Sequence, residues 1–259
     1  MALHLVGLGL HDVRGVSVRG MELARAADAV YAEFYTATLA GADAAGLEAF
    51  FGRPVTLLDR LGVEKGAPRL VEEARRREVV LLVAGDPLAA TTHTDLVLRA
   101  RAAGVAVHVV HGASILTAAP GLLGLQHYKF GRTTTLARPA PGWSPTSPFD
   151  AVAENHARKL HTLVLLDIQA DAGYFMAAGE GLGILLDLAK RTGNTWFGPP
   201  SQVGIVARAG SDRPLAVTGT VERLQHHDAG PPLHTLVVPG EFHEVELEAW
   251  RSLAADRKA

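Results

Sequence analysis

Short apolar runs alternate with amphipathic stretches along the first half of the chain. The apolar runs predict strands at residues 3–6, 29–32, 55–58, 79–83 and 105–110. Between them, residues 16–27 and 68–77 carry apolar side chains at three- and four-residue spacing, which predicts amphipathic helices. Strands that alternate with helices in this way indicate an α/β fold with a largely parallel sheet.

The second half repeats this alternation after a proline-rich segment at residues 137–149. We predict a loop or linker there, because proline cannot continue a helix or a central strand. Beyond it, strands are predicted at 162–166, 203–207, 215–217 and 235–238, and helices at 151–158, 180–191 and 245–255. The glycines of 179–183 leave the start of the second helix open. We therefore predict two α/β domains, residues 1–111 and residues 112–259.

The composition limits the classes of protein to which the chain can belong. With 259 residues, 48% of them hydrophobic, the chain can bury the cores of two small domains. Lys and Arg number 25 against 27 for Asp and Glu, so there is no basic excess and we expect no nucleic-acid partner. The absence of cysteine excludes disulfides and thiol nucleophiles and agrees with a cytoplasmic protein. The first apolar run breaks at Gly7, so we expect neither a signal peptide nor a membrane span.

The first candidate ligand site is the turn Gly7-Leu8-Gly9-Leu10, directly after the opening strand. Glycines let backbone amides approach a ligand closely, although the same residues also serve a simple reversal of the chain. A nicotinamide-dependent reductase is disfavoured, because the third glycine and the ribose-binding acid of the dinucleotide fingerprint are missing.

Further candidates lie at other strand ends, where ligands of α/β sheets collect. Asp86, in the stretch GDPLAATTH, either accepts hydrogen bonds from a ligand or caps a helix that begins near Thr91. Ser114 either donates to a ligand or caps the helix that follows it. Residues 166–168, 207–211 and 231–235 have the same character.

The twelve histidines do not predict a metal site. The nearest pairs, His108 with His111 and His226 with His227, have neither the helical spacing nor the carboxylate neighbour of a zinc site. A hydrolase elbow of the form Gly-x-Ser-x-Gly and a phosphate-binding Gly-Lys-Ser/Thr are also missing, which disfavours those two enzyme classes.

Eight stretches, in order along the chain, resemble the diphthine synthases, a branch of the tetrapyrrole-methylase-like methyltransferases. They are GLGLHD at 7–12, AEFYT at 32–36, GDPLAATTH at 85–93, YKFG at 128–131, PTS at 145–147, HTLVLLDI at 161–168, ARAGS at 207–211 and PPLHTLVVPG at 231–240. GDPLAATTH and YKFG are specific to this branch. The wider family usually has Gly-Pro-Gly-Asp after the first strand, and its replacement by GLGLHD disfavours a porphyrinoid substrate.

This resemblance implies two α/β domains of the class III methyltransferase fold, with S-adenosylmethionine in the cleft between them. It implies a homodimer and S-adenosylhomocysteine as a product. The donor contacts that it implies are Leu10, Asp86, Ala89, Ser114, Ile115, Leu166, Ala209, with Ala207 as a close alternative, and His234.

The reaction implied is successive methylation, to the trimethylammonium form, of the amino group of 2-(3-amino-3-carboxypropyl)-histidine on elongation factor 2, giving diphthine. No catalytic residue is assigned: His93 and His234 are each candidates either for a base or for orienting the donor. Two alternatives stay open, a tetrapyrrole methyltransferase of the same fold and a catalytically silent nucleotide-binding module.

Overall fold

The computed structural model describes residues 1–35, 37–39 and 43–255, which form two compact units. The first unit comprises Met1–Ile115 and Gln169–Tyr174, and the second comprises Leu116–Ile168 and the chain from Phe175 onward. Thr36, the last residue of the AEFYT stretch, lies outside the described residues. The domain boundary after residue 111 stays a prediction.

The first unit is built on a parallel sheet. Its strands are β1 (Ala2–Gly7), β2 (Ala29–Glu33), β3 (Thr56–Leu58), β4 (Glu78–Val83) and β5 (Ala106–Val110), in the spatial order β3-β2-β4-β1-β5. Every pairing in this order is parallel, as the alternating pattern predicted. The sheet's carboxyl-terminal edge therefore gathers the loops that follow the strands.

The central strand β4 shows why this sheet forms. After Glu78 its residues form an unbroken apolar run, Val79–Val83, which is typical of a strand covered on both faces. Val80 and Leu82 join one buried cluster, and Val79 and Leu81 join another on the opposite face. Because successive side chains of a strand point to opposite faces, one apolar run supplies both layers of core.

Helices cover the sheet of the first unit. They are α1 (Val18–Ala26), α2 (Ala44–Phe51), α3 (Arg60–Glu64), α4 (Ala67–Ala74) and α5 (Thr94–Ala102), with a short 3-10 turn at Val13–Gly15. The predicted helices at 16–27 and 68–77 are confirmed as α1 and α4. The helix expected near Thr91 begins three residues later, at Thr94.

The second unit has a mixed sheet in the order β11-β10-β12-β7-β6. The elements that follow β5 along the chain are α6 (Ile115–Leu122), β6 (Thr134–Leu136), α7 (Ser147–Ala157), β7 (Thr162–Leu166), β8 (Ile168–Gln169), β9 (Tyr174–Phe175), α8 (Ala178–Arg191), β10 (Gln202–Ala207), β11 (Leu215–Thr220), α9 (Val221–Leu224), β12 (His234–Val238) and α10 (Glu244–Ser252). Two further 3-10 turns span His127–Lys129 and Ala170–Ala172, and the second of these lies in the segment Gln169–Tyr174 that belongs to the first unit.

The expectation of a largely parallel arrangement is wrong for this second sheet. β6 pairs in parallel with β7, but β10 is antiparallel to both β11 and β12, and β12 is antiparallel to β7. Apolar runs indicate that a strand is buried and carry no information on the direction of its neighbour, which explains the difference.

The structure also differs from the predicted loop at 137–149 and from the predicted start of the helix at 180–191, in each case for a steric reason. The proline-rich segment at 137–149 is not loop throughout, because α7 begins at Ser147 with Pro148 in its first turn, where a missing N–H is harmless. Helix α8 begins at Ala178 and continues through the glycines. A Cβ on Gly181 would lie 2.8 Å from Leu166 Cδ2, so this glycine lets α8 pack closely on β7.

No helix within the described part of the chain is both long and apolar enough to cross a bilayer.

Candidate functional site

Three strand-end loops of the first unit meet at a junction made of glycines. Gly9 and Gly85 exchange backbone hydrogen bonds of 2.8 and 3.1 Å, and both have positive φ. A Cβ on Gly7 would lie 2.6 Å from the nitrogen of Gly112 and 2.6 Å from the oxygen of Gly85. The loops after β1, β4 and β5 therefore touch because their contact residues lack side chains. The opening glycine turn does more than reverse the chain.

Asp86 lies at this junction, half-buried, and its carboxylate holds two loops. One oxygen accepts from the backbone N–H of Leu88 at 3.0 Å, and the other lies 2.7 Å from Nδ1 of His111. The N-cap of α5 is His93, so the alternative in which Asp86 caps this helix is wrong. Each carboxylate oxygen can accept a further hydrogen bond, so the side chain fits a ligand's hydroxyl or ammonium group.

The other candidate contacts of the first unit lie in the same loops. Leu10 follows β1, Ala89 follows β4, and Ser114 and Ile115 follow β5 at the start of α6; all four are half-buried. The two interpretations of Ser114, ligand contact or helix cap, both stay open.

Backbone strain marks the same loops, a feature that the sequence did not reveal. His11 and Ala90 adopt φ of 68° and 55°, in the left-handed region that residues with side chains rarely occupy. Such conformations persist where the surrounding structure holds them, and they concentrate at binding sites.

The candidate contacts of the second unit also lie together. Ala207 at the end of β10 pairs with His234 at the start of β12, and β12 is flanked on its other side by β7, which ends at Leu166. Arg208 has φ of 51°, and its N–H donates to the oxygen of Leu233 at 3.2 Å. Ala209, the predicted contact for which Ala207 is the alternative, follows it and is buried.

The ring of His234 has both nitrogens engaged. The N–H of Ala178 donates to Nδ1 at 3.1 Å, so Nδ1 carries the lone pair. Nε2 therefore carries the hydrogen and donates to the oxygens of Gly230 and Pro231 at 3.0 and 3.1 Å. Burial lowers the pKa of His234, which favours this neutral form. With no lone pair left over, His234 does not act as a base, and an orienting role remains for it.

His93 does not offer a base to a substrate either. Its Nδ1 lies 3.0 Å from the oxygen of Pro87 and 3.1 Å from Oγ1 of Thr91, and the residue is only 1% exposed. Both histidines that were candidates for the base are thus held by the protein's own groups.

The YKFG stretch, expected to mark the branch, has a structural role in the second unit. Nζ of Lys129 lies 2.5 Å from Oε2 of the buried Glu246, and Phe130 packs on the ring of His161. Burial raises the pKa of Glu246, but hydrogen bonds from the N–H of His243, from Lys129 and from the N–H of Gln126 outweigh it and lower that pKa to about 2.

One cavity of the first unit, of about 290 Å³, borders the end of the GDPLAATTH stretch. Its walls are Val63, Ala67, Thr92, His93, Asp95 and Leu96, none of which is a predicted donor contact. Among the described residues, no group of three or more His, Asp and Glu side chains is arranged to hold a metal ion.

The fold and its strand-end loops are those of a methylase, and the family described as Tetrapyrrole (Corrin/Porphyrin) Methylases matches residues 2–225. A diphthine synthase of Methanococcus maripaludis strain C5 is 41% identical over 97% of this chain and 98% of its own length. That of Methanoregula boonei is 45% identical, over 95% and 96%. A crystal structure of diphthine synthase matches with a TM-score of 0.89 and 36% identity, over 98% of this chain and 96% of that one. The chain belongs to the diphthine synthase family of methyltransferases.

Proposed function

We propose that the chain transfers methyl groups from S-adenosylmethionine to the amino group of 2-(3-amino-3-carboxypropyl)-histidine on elongation factor 2. Three transfers give the trimethylammonium form, diphthine, and each releases S-adenosylhomocysteine. The observation that carries this proposal is the similarity to diphthine synthases along nearly the whole chain. The proposal also includes a homodimeric state and a cytoplasmic location, and both are predictions from the family resemblance.

The proposed donor contacts are those that the family resemblance implies. They are Leu10, Asp86, Ala89, Ser114 and Ile115 in the first unit, and Leu166, His234 and Ala209 or Ala207 in the second. Two features of the first unit support a donor site. Its glycine junction holds the loops that carry Leu10, Asp86 and Ser114 in direct backbone contact, and the Asp86 carboxylate has acceptor capacity left for a ribose hydroxyl or an amino group.

Positioning is the chemistry that these residues supply. S-adenosylmethionine, when bound, would supply a sulfonium methyl group. The amine nitrogen would attack the methyl carbon in line, and S-adenosylhomocysteine would leave with the electron pair of the broken carbon–sulfur bond. Before each transfer the ammonium group must lose one proton, since only the neutral amine has a lone pair. Because His93 is buried and both ring nitrogens of His234 are hydrogen-bonded, we propose that this proton passes to solvent and that the enzyme accelerates the reaction by orientation.

Replacing Asp86 by asparagine is expected to weaken donor binding about tenfold. Asparagine keeps an oxygen for the N–H of Leu88 but loses the charge, and a hydrogen bond to a charged group contributes on the order of 1.5–3 kcal/mol. Calorimetry with S-adenosylhomocysteine measures the change. Asp95→Asn is the control, because that acid is exposed on α5 and pairs with Arg99. An unchanged affinity in Asp86→Asn would leave Asp86 only its role in the turn.

Methyl transfer is expected to elongation factor 2 that carries the unmethylated aminocarboxypropyl-histidine, and not to uroporphyrinogen or precorrin-like rings. The net charge of −2 supplies no attractive field for a polycarboxylate ring. Labelled donor is incubated with each substrate side by side, and the peptide mass counts the methyl groups. Ring methylation with an inert elongation factor would favour the tetrapyrrole alternative, and donor binding without transfer to either would favour the silent module.

A further inference from the structure

Two residues of the family-matching stretches, Glu33 of AEFYT and His93 of GDPLAATTH, lie against each other in the core of the first unit. Oε1 of Glu33 is 3.6 Å from Nε2 of His93, and neither side chain is exposed to solvent. Glu33 ends β2, and His93 precedes α5. A buried carboxylate is costly unless opposite charge or hydrogen bonds compensate it, so the groups around Glu33 are expected to be held in fixed positions.

The contacts of His93 show which ring nitrogen carries hydrogen. The carbonyl oxygen of Pro87, 3.0 Å from Nδ1, can only accept, so Nδ1 donates. Nε2 faces Glu33 and makes no hydrogen bond within the described part of the chain. The Glu33 carboxylate and this edge of the imidazole ring therefore face each other out of contact with water.

The carbonyl group that His93 holds, that of Pro87, belongs to residues 84–92, which we call the donor loop. Pro87 lies between Asp86 and the candidate contact Ala89, and the strained Ala90 follows. On the other side of the pair, Oε2 of Glu33 accepts from the N–H of Tyr35 at 3.1 Å. The Glu33 and His93 side chains thus connect the chain after β2 to the middle of the donor loop.

We propose that Glu33 and His93 are positioning residues that hold the donor loop in the conformation that binds the methyl donor. The inference rests on the proposed function, because Asp86 and Ala89 are donor contacts only under it. His93 acts through the carbonyl of Pro87, and its buried side chain does not touch the donor. Glu33 lies against the opposite edge of the imidazole ring, 3.6 Å from Nε2, and limits the room in which the ring can turn.

Three substitutions of His93 separate this role from plain packing. Asparagine places an amide N–H near the position of Nδ1 and keeps the hydrogen bond to Pro87. Glutamine places its amide toward Glu33 and loses that bond, and alanine loses both. We expect the Kd for S-adenosylhomocysteine to rise about tenfold or more in His93→Ala and His93→Gln, and by only a few-fold in His93→Asn.

Steady-state kinetics of the His93 variants provide a second readout, and variants of Glu33 provide a second set of substitutions. At saturating donor, kcat in the His93 variants is expected to stay near the wild-type value while the KM for donor rises, since the loop binds the donor and does not react.

Glu33→Gln keeps an oxygen for Tyr35 and offers an N–H to Nε2 of His93, so it is expected to bind donor nearly as wild type does. Glu33→Ala is expected to bind as weakly as His93→Ala. His226→Ala, an exposed histidine, is the control.

The outcomes are distinct. If the role were purely structural, Tm would fall in all the His93 variants, and His93→Ala and His93→Gln would not bind donor more weakly than His93→Asn does. That result would overturn the proposal. A folded His93→Ala with wild-type Kd would also overturn it. A wild-type chain that does not bind S-adenosylhomocysteine would overturn the proposed function and this inference with it, whereas binding by wild type with no change in the variants overturns the inference alone.

Discussion

Replacing Lys129 by methionine is expected to lower the free energy of unfolding by about 3–5 kcal/mol, as removal of one partner of a buried ion pair typically does. Nζ of Lys129 lies 2.5 Å from Oε2 of Glu246, whose side chain is 1% exposed. Methionine fills a similar volume but leaves the carboxylate without its cation. Urea unfolding followed by circular dichroism measures the loss.

A surface pair of the same composition provides the matched control. Lys159 lies 2.8 Å from Glu241, but both side chains are more than half exposed. Water screens such pairs, so Lys159→Met is expected to leave the unfolding midpoint nearly unchanged. Equal effects of the two substitutions would contradict the claim that burial makes the Lys129 pair important.

The pH dependence of stability tests the same carboxylate. The pKa of Glu246 in the folded chain is about 2, against an ordinary value of 4.5. A lowered pKa means that the contribution to stability is complete above about pH 4.5 and is lost as pH falls toward 2. In Lys129→Met part of this contribution is already missing, so its stability is expected to fall less steeply over that window.

Much of the first unit could be predicted from sequence because its strands are buried on both faces. Unbroken apolar runs such as that of β4 occur where a sheet is covered on both sides, and glycines after strands indicate close approach of backbone. The direction of the strands in the second unit could not be predicted, because β10 and β12 look alike in sequence whether their neighbours run parallel or antiparallel.

The sequence predicts which loops carry the candidate site, but it does not predict the side-chain contacts within the site. Asp86 could be singled out from its place after β4, but its hydrogen bond to His111 depends on a strand that follows later in the chain. The tautomer of His234 depends on the N–H of Ala178, and the partner of Lys129 is Glu246 on the last helix. Such pairings are set by tertiary structure, so no local pattern reveals them.

Adding one methyl group at Gly112 is expected to disrupt the glycine junction. A Cβ there would lie 2.9 Å from the nitrogen of Gly9 and 3.0 Å from the carbonyl carbon of Gly7, and closer still to the oxygen of Gly85, whereas ordinary contact begins near 3.4 Å. All three neighbours are backbone atoms, which cannot rotate away as a side chain does. We expect Gly112→Ala to cost about 1–3 kcal/mol of stability, as overpacking does.

The effect of Gly112→Ala on methyl transfer is expected to be larger than its effect on stability, about 100-fold in rate, since a displacement near 1 Å has that consequence in a positioned site. The substitution separates the loops that carry Leu10, Asp86 and Ser114, so donor and amine no longer align. Gly121→Ala is the matched control, because a Cβ there meets no atom within 4 Å and φ is not positive. Kinetics at saturating donor, compared with Tm for both variants, tests this. A Gly112→Ala enzyme that keeps its Tm and its rate would show that the junction tolerates a side chain and that the three loops need not touch for the reaction.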